Sequence, residues 1–100
     1  PGVAVTQGLA AFSDGRYDDA FANLHAAHPR FQSMGGSHAQ RDVFERVTIE
    51  AGLRAGSLDA TQVLLEQRIA QRKGAVDDFA QTRLQMVCDA RELQARLAAE

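Results

Sequence analysis

Two parts of this chain repeat one another. Gly15, Tyr17, Asp18, Ala20 and Leu24 recur 41 residues later as Gly56, Leu58, Asp59, Thr61 and Leu65, and Phe12 recurs as Leu53. In each copy, apolar residues at helical spacing lie on both sides of the glycine. In the first copy Val5, Leu9 and Phe12 fall at i, i+4 and i+7, one face of a helix. Tyr17, Ala20, Leu24 and Ala27 give a second such face. Gly15 and Gly56 stand where a helix commonly ends on a left-handed residue. A connection of about two residues makes the flanking helices antiparallel neighbours. A repeated helical hairpin with a period of this length lies in the range of α-solenoids.

Between the copies lies Gly35-Gly36-Ser37-His38-Ala39-Gln40-Arg41-Asp42. Ser37 followed three residues later by Gln40 is a capping box: the hydroxyl accepts from the N3 amide and the Gln side chain returns to the cap. A third helix is therefore predicted from about 38 to 55, and a fourth after Gly56 with Leu58, Leu64, Leu65 and Ile69 on its inner side. Arg68, Arg72 and Lys73 complement its C-terminal dipole, and Gly74 closes it. Asp77 and Asp78 open a last helix with a broad face of Val76, Phe79, Ala80, Met86, Val87, Ala90, Leu93 and Leu97. Pro29 is expected to end the second helix, because proline disfavours helix in the residue before it. The predicted fold is all-α: one helical-repeat domain with repeat 1 at about 3–29, a loop at 30–37, repeat 2 at about 38–73 and a closing helix at about 75–98. Phe12, Tyr17, Leu24, Phe44, Val47, Leu53, Leu65 and Phe79 are expected to share one continuous core.

Charge narrows the function classes. The 11 basic and 13 acidic residues are interspersed, giving a net charge of −2, which disfavours a nucleic-acid partner. No apolar run approaches the roughly 20 residues that span a bilayer, and no leader pattern is visible, so no membrane partner is expected. A single Cys88 allows no internal disulfide and fits a reducing, cytoplasmic setting. With Met86, Val87 and Ala90 around it, Cys88 is expected to be a buried small hydrophobe. The chain begins at Pro1 rather than Met, which reads as a piece of something longer.

The stretch Gly8…Ala11-Phe12…Gly15-Arg16-Tyr17-Asp18-Asp19-Ala20…Leu24…Ala27 resembles the tetratricopeptide repeat. The second copy keeps Gly56 and Leu58 but has Thr61 and Arg68 where that pattern has Ala. Residues 35–44, with Leu64-Leu65-Glu66-Gln67-Arg68 further on, are similar to the C-terminal part of tetratricopeptide repeat protein 38-like proteins. The resemblance covers roughly 8–72 and implies an α-solenoid. It carries no catalytic residue and calls for no cofactor. In tetratricopeptide repeats the inner helices line a concave ligand surface, which implies a protein or peptide partner.

On the third helix Arg46, Glu50 and Arg54 form an i, i+4, i+8 stripe between two apolar arcs, Val43, Phe44, Val47, Ala51 and Ala55 on one side, Ile49 and Leu53 on the other. These three residues are the candidate partner-binding set; the plainer reading is a solvated ion pair between Glu50 and Arg54. Ser37, His38 and Arg41 at a helix N-terminus form a candidate anion-binding or small-molecule site, enzymatic in one version. Its plainer reading is simple capping. His25, His28 and His38, with Asp42 or Glu45, make a poor zinc set beside the plainer surface-histidine reading. A Ser37–His38–Asp42 triad lacks the strand–turn–helix elbow of such nucleophiles. Finally, the first helix would expose Val3, Val5 and Leu9 in the absence of a preceding repeat, and a two-fold dimer through that face is expected.

Overall fold

The computed structural model describes residues 2–33 and 37–100. Within them the chain forms five α-helices: α1 (Gly2–Ser13), α2 (Tyr17–Ser33), α3 (His38–Ala55), α4 (Leu58–Gln71) and α5 (Asp78–Ala99). They group into two compact units, one ending at Ala55 and the other beginning at Gly56. No helix among the described residues is long and apolar enough to cross a membrane.

In the first unit α2 packs against both α1 and α3. α1 ends on Gly15 at φ +79°. The Arg16 amide donates back to the Ala11 carbonyl at 2.9 Å and the Gly15 amide to Phe12 at 3.1 Å. This is the Schellman arrangement that a left-handed glycine permits. Ala11, Ala20, Phe21, Leu24, Ala27, Phe44, Ile49 and Ala51 are buried. The buried face of α1 is Gly8 and Ala11 rather than Val5, Leu9 and Phe12; Leu9 is exposed and the other two are half-buried. Small residues win because α2 comes close: a Cβ on Gly8 would stand 2.6 Å from Leu24 Cγ. On α3 Val43 is exposed, while Glu45 and Thr48 are buried. The Thr48 hydroxyl donates to the Phe44 carbonyl at 2.8 Å, which satisfies it within its own helix.

Pro29 does not end α2. The helix runs through it to Ser33, so residues 30–33 are helix rather than loop. Pro29 leaves the His25 carbonyl without its usual donor. The turn beyond it is held by side chains: the Phe31 ring stacks on Phe44 with centroids 4.2 Å apart. Gly35 and Gly36, the glycines ahead of the Ser37 cap, lie outside the described residues.

In the second unit α4 and α5 form a hairpin. Leu58, Leu64, Leu65, Ala80 and Val87 are buried. Thr61 is buried too, with its hydroxyl donating to the Ser57 carbonyl at 2.7 Å. The left-handed residue that ends α4 is Lys73, at φ +58°, with Gly74 next at +82°. The Gly74 amide donates to Ile69 and the Lys73 amide to Ala70, so the Schellman turn is set one residue earlier than the glycine. α5 is less buried than its apolar pattern predicts. It starts after Val76, and Val76, Met86, Leu93 and Leu97 are all exposed. Cys88 is exposed rather than buried.

Candidate interaction surface

α3 begins where its capping sequence places it. The Ser37 hydroxyl accepts from the Gln40 amide at 3.0 Å, and the Ser37 carbonyl accepts from Arg41 at 3.2 Å. His38 is exposed beside the cap and Arg41 half-buried. The Gln32 side chain donates to the Arg41 carbonyl at 3.4 Å, joining α2 to α3. Ser37, His38 and Arg41 thus share one helix start, with the serine oxygen engaged in the cap.

One turn on, Arg46 Nε donates to Asp42 Oδ2 at 2.9 Å. An exposed i, i+4 pair contributes only a few tenths of a kcal/mol. Its consequence here is positional: it fixes the first guanidinium of the stripe on the helix surface. Asp42 is therefore held by an arginine rather than aligned with Ser37 and His38. Glu50, the middle residue, is half-buried.

Arg54 sits in the last turn of α3, where the helix dipole favours a cation. Its Nη1 donates to the Tyr17 hydroxyl at 3.1 Å. Its guanidinium carbon stands 5.3 Å from the Tyr17 ring centroid and 5.6 Å from that of Phe12. The two rings meet edge to face, 5.5 Å apart at 69°. The α1–α2 turn closed by Gly15 brings Phe12 and Tyr17 into this corner, and the corner receives Arg54. Cation–π contacts at exposed sites contribute about 0.5–1 kcal/mol, so the aromatic pair orients a cation that stays exposed. Sequence spacing, which suggests an ion pair between Glu50 and Arg54, does not reveal this contact of Arg54 with Tyr17 of α2.

A shallow groove of about 510 Å³ also runs between α1 and α2, lined by Val3, Ala4, Gln7, Ala26, Ala27 and Arg30. Val3 is among the most exposed apolar residues, and Val5 is half-buried.

The three histidines diverge. His25 is exposed and stacks on Phe21 at 4.8 Å, and His38 lies at the α3 start. His28, read above as a surface residue, is buried: its Nε2 lies 3.0 Å from Glu45 Oε2, itself buried. Its ring also faces Phe44. The helical spacing held the signal, since His28 follows Leu24 by four residues and so shares its buried face. Among the described residues, no group of three His, Cys, Asp or Glu could hold a metal ion.

Arg68 stands in the last turn of α4, where the helix dipole favours a cation, and is 1% exposed. Its Nη2 donates to Asp77 Oδ2 at 2.9 Å, and its guanidinium carbon lies 5.1 Å from the Phe79 ring centroid. The other oxygen of Asp77 accepts from the Ala80 amide at 2.9 Å, capping α5. The Arg68 hydrogen bond, helped by the Ala80 amide and the charges of Arg68 and Arg72, holds the Asp77 carboxyl below its ordinary value against the opposing effect of burial. This cluster ties the end of α4 to the start of α5 and is occupied with that task.

No family model matches the chain, and no solved structure matches it.

Proposed function

We propose that the chain is a tetratricopeptide-like helical-repeat module of the cytoplasm that binds a protein or peptide, with Arg46, Glu50 and Arg54 as its contact row. The observation that carries this reading is the aromatic corner that orients Arg54. A guanidinium set in place before the partner arrives loses less conformational freedom on binding, and Arg is suited to bidentate capture of carboxylates. Arg46, fixed by Asp42, adds a second cation eight residues earlier on the same helix. Two cations at this spacing favour an acidic segment. A left-handed glycine follows α1 and another follows α3, at the same place in the sequence repeat, which supports the solenoid-like part of the reading.

The test is fluorescence anisotropy with two labelled peptides of equal length, one alternating acidic and apolar residues and one with lysine in place of each acidic residue. The acidic peptide is expected to bind, more weakly as salt rises, and Arg54→Ala or Arg46→Ala should weaken it about tenfold. Equal binding of both peptides, or acidic-peptide binding unchanged by Arg54→Ala, would overturn the assignment.

A further inference from the structure

The second unit carries an apolar stripe that its own hairpin does not use. α5 has 22 residues and α4 has 14. Arg91 reaches Asp59 at 2.8 Å and Gln62 at 2.7 Å, next to the first residues of α4. The last two turns of α5 therefore run on past the first residue of α4, and every residue from Arg91 onward is exposed. Ala80 and Val87 define the side of α5 that faces inward. Met86, Ala90, Leu93 and Leu97 lie roughly a third of a turn away from it, at 100° per residue. Met86 is 45% exposed, Leu93 55% and Leu97 59%, with Ala90 half-buried.

The spacing of these four residues is four, three, four. That is the d, a, d, a sequence of a heptad seam, the pattern by which one helix packs along another. In that register Asp89 and Arg96 occupy the two g positions beside the seam, opposite charges one heptad apart. This arrangement selects an occupant. Lay a second α5 antiparallel, with Ala90 against Leu93 of the second copy and Met86 against Leu97. The small Ala90 then receives a large side chain in both halves of the seam. Asp89 of each copy comes beside Arg96 of the other, so two-fold symmetry makes the charge match twice. A parallel pairing would set Asp89 against Gln94 and leave both charges without a match. Self-complementarity of this kind is what a two-fold interface requires.

We propose that α5 pairs with α5 of a second copy of this chain as an antiparallel coiled coil, through Met86, Ala90, Leu93 and Leu97, with Asp89 and Arg96 setting the direction. The face is distinct from the Val3–Leu9 side of α1 and from the α3 stripe, and the pairing stands independently of any peptide that stripe takes.

Sedimentation equilibrium of the full chain, across two decades of micromolar concentration, should show a monomer–dimer equilibrium. Leu93→Asp and Leu97→Asp act on exposed positions, so far-UV circular dichroism should show helix content unchanged while dimerisation weakens at least about tenfold. Asp89→Arg and Arg96→Asp should each weaken it by about fivefold, and the double exchange should restore it to within about twofold. A monomer at every concentration would overturn the proposal. So would a dimer that survives both leucine substitutions, or a double exchange that fails to recover the loss of the single ones.

Discussion

At the scale of single residues, the second unit is governed by a charge the hydrophobic pattern does not announce. Arg68 takes the place that Ala27 holds 41 residues earlier, and the chain accommodates it by putting Asp77 within hydrogen-bonding reach. One Asp77 oxygen serves Arg68 and the other caps α5. Asp77→Ala should therefore cost about 2 kcal/mol, the upper end for a lost cap, because the same change removes a partner from a buried arginine. The lowered carboxyl also fixes a pH dependence. A depressed acid contributes stability that is fully present above its unfolded-state value near 4 and is lost as pH falls through the lower folded-state value. Urea midpoints measured downward from pH 5 should fall less steeply for Asp77→Asn than for the parent chain. Parallel slopes would mean that Asp77 is not a source of the acid sensitivity.

At the scale of helices, two contacts decide packing where propensity points elsewhere. Pro29 inside α2 would ordinarily cost about 3 kcal/mol. The stacking of Phe31 on Phe44 and the buried His28–Glu45 contact on either side of it hold the last turns against α3. Pro29→Ala restores the missing amide and should stabilise the chain by about 1–3 kcal/mol, read from the denaturation midpoint. Gly8 is the opposite case. Alanine there would gain about 1 kcal/mol of helix propensity. Yet its Cβ would meet Leu24 Cγ and Cδ2 at 2.6 and 2.8 Å, and Leu24 is wholly buried. Overpacking typically costs about 1–3 kcal/mol, so Gly8→Ala should destabilise on balance. Equal or higher stability would show that α1 can shift away from α2.

At the scale of the whole chain, what was legible in the sequence is what local rules control. The all-α class, the glycine stop at Gly15, the cap at Ser37 and the opening of α5 at Asp77 each depend on a few neighbouring residues, and the structure bears them out. The misreadings all depend on what lies across from a residue. Pro29 was read as a stop because Phe44 is distant in sequence from Phe31. The burial of His28 and of Arg68 is not legible locally, because Glu45 and Asp77 become their partners only once helices pair. The exposure of Met86 is not legible either, because periodicity marks an apolar face without saying whether another helix covers it. The division into two units bears on the core in the same way. Leu24 is fully buried in the first unit and Leu65 in the second. Truncating either to Ala should cost about 2–5 kcal/mol, a large part of the roughly 5–15 kcal/mol that holds a typical domain. Amide hydrogen exchange followed by mass spectrometry can tell where that cost falls. If the units open separately, Leu65→Ala should speed exchange in α4 and α5 well before α1 and α2, and Leu24→Ala should do the reverse. Equal acceleration of all five helices by both substitutions would instead show that the chain unfolds as one cooperative body.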